Sequence, residues 1–398
     1  MKLWISAGEI SGDLHGSFLC GALRRLRPEA RLMGMGGPRM RALAFESIFQ
    51  AEELSVMGFT EVLSHLPRIF RLLKNIKARL RQERPDALVV IDAPDFHFRL
   101  IPEAERLGIP IYYYISPKVW AWRQGRAKFI KRHVRRLISI LPFEVDFYRR
   151  FGLEADYVGN PLLDQLDLPA LDQIRPRTGW IGLMPGSRRK EISLMMPAFA
   201  QAARLMLALK ADLRFICAPA PSLDEKYVRS FWPEDIPLYC RPPEERYAFM
   251  RECEMLLAAS GTAVLESALI GTPTLITYRG SALSFRIAKA VVKVPYVGLP
   301  NLICGREIMP ELLQDAGSGP NLAALAARWL ELPGADSLNG SGDRTFAREV
   351  RPKFSAECGN LEQVRRNLAD LRQLVGKPGA AQRAAGIILE DLAAAAAP

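Results

Sequence analysis

Short apolar runs rich in Val, Ile and Tyr recur along the chain, and longer amphipathic stretches fill the gaps between them. KLWIS (2–6), ALVVID (87–92), IPIYYYIS (109–116) and RLISILP (136–142) form a first set. Runs this short and this apolar suit strands buried on both faces, and the intervening helical periodicity supplies the crossovers that parallel strands require. The pattern predicts an α/β chain built on a parallel sheet. A Gly-rich turn follows the first strand and leads into a helix expected around Leu14–Leu26.

The alternation pauses at VGNPLLDQLDLPALDQIRPRTG (158–179), a Pro- and Asp-rich stretch read as an interdomain linker. It resumes with WIGLMPGSRR (180–189), LRFICAPAP (213–221), MLLAASGT (255–262) and PTLITYR (273–279). The 398 residues therefore divide into two doubly wound, Rossmann-like domains, 1–165 and 166–340. Residues 341–398 are expected to form C-terminal helices that pack back on the first domain or onto a partner subunit, which leaves a homodimer open. Ligands of such sheets bind beyond the carboxyl ends of the strands, and here in a central cleft that the two domains are expected to face.

Composition removes several alternatives. The six cysteines, at 20, 217, 240, 253, 304 and 358, form no CxxC pair, so they read as reduced, cytosolic thiols. His15, His65, His97 and His133 are too scattered for HExxH or H-x₃-H spacing, so no metal site is expected. GxSxG is absent, which leaves a hydrolase triad without an anchor. MKLWISAGEI reaches Gly and Glu before a signal-type core develops, and no uncharged apolar run is long enough to span a bilayer. The formal net charge of +11 favours phosphorylated ligands, nucleic acid or an anionic membrane surface.

Three turns are candidates for ligand contact. SAGEISGDLHG (6–16) follows the first strand, and its glycines permit close backbone approach, although the GxGxxG of a dinucleotide site is absent. MPGSRRKEI (184–192) is the equivalent turn of the second half. Gly186 and Ser187 there can expose amides at a helix N-terminus, and Arg188 can add a bidentate phosphate contact; a Ser-capped helix with surface arginines is the plainer reading. In ASGTAVLESALIGTP (259–273) a strand breaks at Ser260, Gly261 and Thr262 before a helix, an arrangement suited to a diphosphate. Glu266 lies one helical turn further on, where a carboxylate can accept from a ribose diol; the competing reading is an ordinary surface Glu on a capped helix.

Two stretches are strongly basic. LSHLPRIFRLLKNIKARLRQER (63–84) places Leu66, Ile69, Leu73, Ile76 and Leu80 on one helical face between basic flanks, and ISPKVWAWRQGRAKFIKRHVRR (115–136) carries eight Lys or Arg and two Trp. Core packing with a solvated charged face accounts for such a pattern, and so does a helix resting on anionic lipid. No RNP, KH or helix-turn-helix signature supports nucleic acid, so none is expected as a partner.

Taken in order, nine stretches resemble the lipid-A-disaccharide synthase family, glycosyltransferases of the GT-B architecture: AGEISGD (7–13), GGPRM (36–40), VMGFTEVL (56–63), IDAPDF (91–96), SPKVWAWR (116–123), LPFE (141–144), MPGSR (184–188), SGTAVLE (260–266) and LPNLICGRE (299–307). They span residue 7 to about 315, and the last 80 or so residues match only loosely. The resemblance implies transfer of the sugar of UDP-2,3-diacylglucosamine to the 6-hydroxyl of 2,3-diacylglucosamine 1-phosphate, giving a β-1,6-linked disaccharide 1-phosphate and UDP. It implies no cofactor and no metal, and action at the cytoplasmic face of the inner membrane as a peripheral protein.

An α-linked donor giving a β product is inversion, which needs one base for the acceptor hydroxyl and charge stabilisation for the departing diphosphate. By resemblance the base is Asp92, counted in the catalytic set with Glu9 and Arg188. Gly186, Ser187, Arg188, Ser260, Gly261, Thr262, Glu266 and Asn301 are assigned to UDP, and Glu9, Ser11 and Asp95 to the acceptor sugar. An Asx turn or helix cap is the plainer reading of Asp95. The sequence departs from the family at Asn160, where His is usual, so no role of that His carries over. The alternatives are another lipid-linked UDP-sugar GT-B transferase, such as the one adding N-acetylglucosamine in peptidoglycan synthesis, a UDP-sugar 2-epimerase, or a non-catalytic membrane- or nucleic-acid-binding protein.

Overall fold

A computed structural model of the chain describes residues 1–55, 62–221, 223–281, 285–286, 290–338 and 358–396. The chain separates into two compact units, one formed by Met1–Asp164 with Lys377–Pro398 and the other by Gln165–Gly376. Each is an α/β unit around one parallel sheet.

The first unit holds β1 (Lys2–Ala7), β2 (Arg31–Gly36), β3 (Glu46–Gln50), β4 (Ala87–Ile91), β5 (Ile111–Tyr114), β6 (Arg136–Ser139) and β7 (Ala155–Tyr157), in the spatial order β3-β2-β1-β4-β5-β6-β7. The second holds β8 (Arg177–Met184), β9 (Arg214–Cys217), β10 (Leu238–Cys240), β11 (Cys253–Ala259), β12 (Thr274–Tyr278) and β13 (Glu311–Leu313), in the order β10-β9-β8-β11-β12-β13. Chain order reverses beside β1 in one sheet and beside β8 in the other. At such a switch point adjacent crossovers run to opposite faces and open a crevice at the carboxyl ends of the strands. The turns after β1 and β4, and those after β8 and β11, are therefore positioned by topology alone.

Central strands match their sequence signatures: β4 and β5 are buried along their whole length. The strands not anticipated are β2, β3, β7, β10 and β13. Met- and Gly-rich RLMGMG carries little strand propensity, and β7, β10 and β13 are three residues long. The first helix, Ile10–Leu26, starts four residues before the expected Leu14.

The expected linker is ordered structure. Pro161–Asp164 forms a 3₁₀ turn and Leu168–Asp172 a helix, with Leu162, Leu163, Leu166 and Leu171 buried, and the boundary between the units falls at Asp164. Asn160 lies here too. Its amide donates to the Ile140 carbonyl (3.2 Å) and its Oδ1 accepts from the Leu162 amide (3.0 Å), so it ties the turn to the chain after β6.

The C-terminal segment is not one piece. Helix Leu361–Val375 belongs to the second unit, while helix Ala380–Ala396 packs on Ile10–Leu26 in the first. Ala380, Ala384, Ala385 and Ile388 share a core with Leu19, Ala22 and Leu23. The Asp164 carboxylate accepts from the Ala380 amide (3.1 Å), and Asp391 accepts from the Tyr112 hydroxyl (2.6 Å) and pairs with Arg135. Among the described residues, no helix is long and apolar enough to cross a membrane, and no three His, Cys, Asp or Glu side chains gather to hold a metal ion.

Candidate active site

In the first unit the site residues stand on the turns after β1 and β4. A Cβ on Gly8 would lie 3.0 Å from that of Ala93 and closer still to Leu54, so the two turns can touch only because position 8 has no side chain. Glu9 and Ser11 are exposed at the start of helix Ile10–Leu26. Asp13 is buried and structural: its carboxylate accepts from the amides of Gly37 (2.8 Å), Arg39 (3.0 Å) and Met40 (3.1 Å), which caps helix Pro38–Arg41. The stretches AGEISGD and GGPRM are thereby joined.

Asp92 directly follows β4 and is half-buried. Burial pushes its carboxyl above the usual aspartate range, while Lys118 and an amide hydrogen bond from Ala93 pull the other way. Its backbone is left-handed, φ 49°, as is that of Ala93, φ 43°. Two successive non-glycine residues in that region cost on the order of 1–2 kcal/mol each and persist only where neighbours hold them. Asp95, one turn into helix Pro94–Arg106, is exposed and pairs with Arg126 (2.5 Å) and Arg123 (3.6 Å). It therefore anchors the SPKVWAWR segment, and its carboxylate is already shared between two cations.

That segment covers a buried polar cluster that sequence reasoning missed, although LPFE pointed at it. Glu144 is fully buried, accepts from Trp120 Nε1 (3.0 Å) and, among the described residues, has its second oxygen without a hydrogen-bond partner; burial raises its carboxyl to about 8. Ser116 and the Tyr148 hydroxyl hydrogen-bond beside it.

In the second unit the turns after β8 and β11 leave adjacent strands, Met184 standing opposite Ala258. Helix Thr262–Ile270 starts at exposed Gly261 and Thr262 and, among the described residues, has no side-chain cap, so its first amides lack an intrahelical partner. Ser260 is held by its amide to the Thr277 carbonyl (2.8 Å). Glu266 is buried and paired with Arg246, which lies over the Tyr247 ring (4.8 Å). Arg246 had no signal in the sequence, because it comes from a separate helix, Arg246–Glu252.

Two expectations need correction. The amides after Gly186 are not left open. Glu191 Oε2 accepts from Ser187 (2.8 Å) and Arg188 (3.1 Å), and its Oε1 pairs with the otherwise exposed Arg188 (2.8 Å). Gly186 is required there, at φ 113° with Glu191 against it, since a Cβ would strike that carboxylate at 2.5 Å. The Asn301 side chain is engaged within the second unit. It is fully buried; Nδ2 donates to Met309 and Glu311 (2.8 Å each), and Oδ1 accepts from Ile308 (2.8 Å) and Met309 (3.0 Å). All four hydrogen-bonding positions are used, so it braces the loop that Glu311 also holds through the Val297 and Gly298 amides (2.9 Å each).

The helix Val62–Glu83 is two-faced. Leu73, Ile76 and Leu80 are core, while Phe70 is 52% exposed beside Arg68, Arg71 and Lys74. A surface hollow of about 410 Å³ lies between Phe49, Glu53 and this helix. The VMGFTEVL stretch lies mostly outside the described residues, as do the surroundings of Leu66.

The family model described as lipid-A-disaccharide synthetase matches residues 3–334. The chain belongs to that family. It is 37% identical to the lipid-A-disaccharide synthase of Myxococcus xanthus, over 98% of this chain and 97% of the relative. It is 34% identical to that of Geobacter metallireducens, with the same coverage. Among solved structures it resembles Acinetobacter baumannii MurG (TM-score 0.60, 13% identity, 98% of this chain and 99% of that one). It also resembles the UDP-GlcNAc 2-epimerase of Neisseria meningitidis (TM-score 0.57, 10% identity, 99% and 100%). At those identities the likeness is one of fold, and the fold is the α/β GT-B type. Lipid-A-disaccharide synthetases are glycosyltransferases, so the peptidoglycan-type and epimerase alternatives fall away at the family level while sharing the architecture.

Proposed function

We propose that the chain condenses UDP-2,3-diacylglucosamine with 2,3-diacylglucosamine 1-phosphate by a single inverting displacement. Asp92 takes the proton of the acceptor 6-hydroxyl. The observation that carries this reading is the setting of Asp92: a carboxylate at the carboxyl end of a central strand, beside the switch point, with its pKa raised by burial. Desolvation strengthens a carboxylate as a base, and a general base works best with a pKa near the working pH. Glu9 and Ser11, exposed on the neighbouring turn, are suited to sugar hydroxyls.

The leaving diphosphate is met by the uncapped helix start at Ser260, Gly261 and Thr262, with exposed Arg188 as the cation. Glu266, aligned by Arg246, receives the ribose hydroxyls. Gly186 and Ser187 shape this site without donating, unless Glu191 withdraws, and Asn301 braces it from behind. The deciding experiment supplies both substrates, the acceptor radiolabelled, in EDTA. Wild type is expected to form a larger lipid on thin-layer chromatography and Asp92→Ala almost none. Product from Asp92→Ala at the wild-type rate would remove the base assignment.

The exposed Phe70, its basic neighbours and the adjoining hollow support a lipid-facing surface, consistent with peripheral association at the cytoplasmic face of the inner membrane. Reversing the charges of Lys74 and Lys77 is expected to reduce co-sedimentation with anionic vesicles and to leave UDP binding unchanged, each Lys contributing about 1 kcal/mol of attraction. Equal sedimentation of both proteins would place the membrane contact elsewhere.

A further inference from the structure

We propose that His97 is a positioning residue: through the backbone of Asp92 it holds the catalytic carboxylate in its working orientation. The proposal rests on the assignment of Asp92 as the base.

His97 is fully buried on helix Pro94–Arg106, and both of its ring nitrogens are engaged. Nδ1 lies 2.7 Å from the Asp92 carbonyl oxygen and Nε2 lies 2.9 Å from Ser6 Oγ. A carbonyl can only accept, so Nδ1 carries the proton; the neutral ring then accepts at Nε2 from the Ser6 hydroxyl. Burial lowers the imidazole to about 4, which keeps this tautomer neutral at ordinary pH. The Tyr113 hydroxyl donates to the same Asp92 carbonyl at 2.8 Å, so both lone pairs of that oxygen are occupied.

These partners come from three adjacent strands. Ser6 of β1 and Tyr113 of β5 both stand opposite Val90 of β4, two residues before Asp92. The imidazole bridges from this row to the left-handed pair Asp92 and Ala93, and its own amide donates to the Ala93 carbonyl at 3.1 Å. The ring also meets Tyr113 edge-on, with centroids 6.4 Å apart and planes at 88°. With its carbonyl fixed from two sides, the Asp92 peptide cannot flip to the β-region conformation that an unsupported Asp-Ala pair prefers. The direction of the carboxylate is set by that peptide.

His97→Leu, Tyr113→Phe and His97→Asn make the test. Leu removes both hydrogen bonds; Phe removes one hydroxyl and keeps the ring, so it serves if His97→Leu does not fold. In Asn the amide restores the donor at the Nδ1 position. Kinetics with both substrates are measured on protein shown to be folded by circular dichroism and to bind UDP. His97→Leu is expected to lower kcat roughly 10- to 100-fold with KM for both substrates little changed, because a misdirected catalytic group costs turnover more than binding. Tyr113→Phe is expected to follow in the same direction and to a smaller extent, and His97→Asn to recover most of the loss.

The double variant Asp92→Ala, His97→Leu is expected to be no slower than Asp92→Ala alone, since His97 acts through Asp92. Wild-type kcat in folded His97→Leu, or in Tyr113→Phe where His97→Leu does not fold, overturns the proposal. So does a further loss in the double variant. Wild-type kcat in Asp92→Ala overturns the underlying base assignment instead, and is seen without reference to His97.

Discussion

Single residues divide into those proposed to meet a ligand and those that hold the turns carrying them. Asp92→Ala is expected to lower turnover by about 10²–10⁴ while UDP binding persists, the usual range for loss of a general base; loss of UDP affinity in isothermal titration would move Asp92 to the donor side. Arg188→Ala is expected to weaken both UDP affinity and turnover, and unchanged kinetics would leave Arg188 as a partner of Glu191 alone. Glu144 has a different signature. Its carboxyl is raised by burial from about 4.5 to about 8. Below about 4.5 it is protonated folded or unfolded and carries no penalty. As pH rises toward about 8 the unfolded chain releases the proton more readily, and stability is lost across that window. Glu144→Gln is expected to abolish this part of the pH dependence, read as urea midpoints that converge with wild type at low pH and exceed it near pH 8. Asp92 and the 260–262 turn were legible as strand-end positions, because the apolar runs before them mark where each strand stops. The partners of Asn301 were not legible because its motif says nothing of where an amide finds them, and the capping role of Glu191 because a side chain that fills its own helix start resembles any surface Glu.

At the scale of elements, the final helix is the informative case. AAGIILEDLAAAAA reads as a helix from composition, but Ala propensity does not say what it packs against. Its small face lets it lie close on Ile10–Leu26, with Ile388 as its fully buried large side chain and Ile387, Leu389 and Leu392 packed beside it. Ile388→Ala is expected to cost about 2–5 kcal/mol, seen as a lower unfolding midpoint of the Met1–Asp164 unit; an unchanged midpoint would mean the helix contributes little. Helix Val62–Glu83 shows the converse: its stripe announced itself, yet the same pattern serves core at Leu73, Ile76 and Leu80 and surface at Phe70. The basic run at 115–136 is likewise less of a free surface than its composition suggests, because Arg123 and Arg126 pair with Asp95, Arg135 with Asp391 and Arg136 with Asp156.

For the whole molecule, nucleotide binding is expected to be confined to the Gln165–Gly376 unit. UDP at 100 times its Kd would then stabilise that unit by about 2.7 kcal/mol, raising the melting temperature of one calorimetric transition, and Glu266→Ala would reduce the shift. A shift confined to the other unit would reverse the assignment of donor and acceptor halves. The sequence by itself determined the α/β class, the repetition of the layout and where the strand-end turns proposed as the site fall, because short apolar runs and the glycines, hydroxyls and acids that end them are local consequences of backbone geometry. Tertiary structure decided what local pattern cannot encode. It returned the last helix to the first unit, set Tyr113 and His97 on the Asp92 carbonyl with Ser6 at the other ring nitrogen of His97, and enclosed Asn301 against Glu311, since these partnerships depend on which elements become neighbours and not on what any one stretch prefers alone.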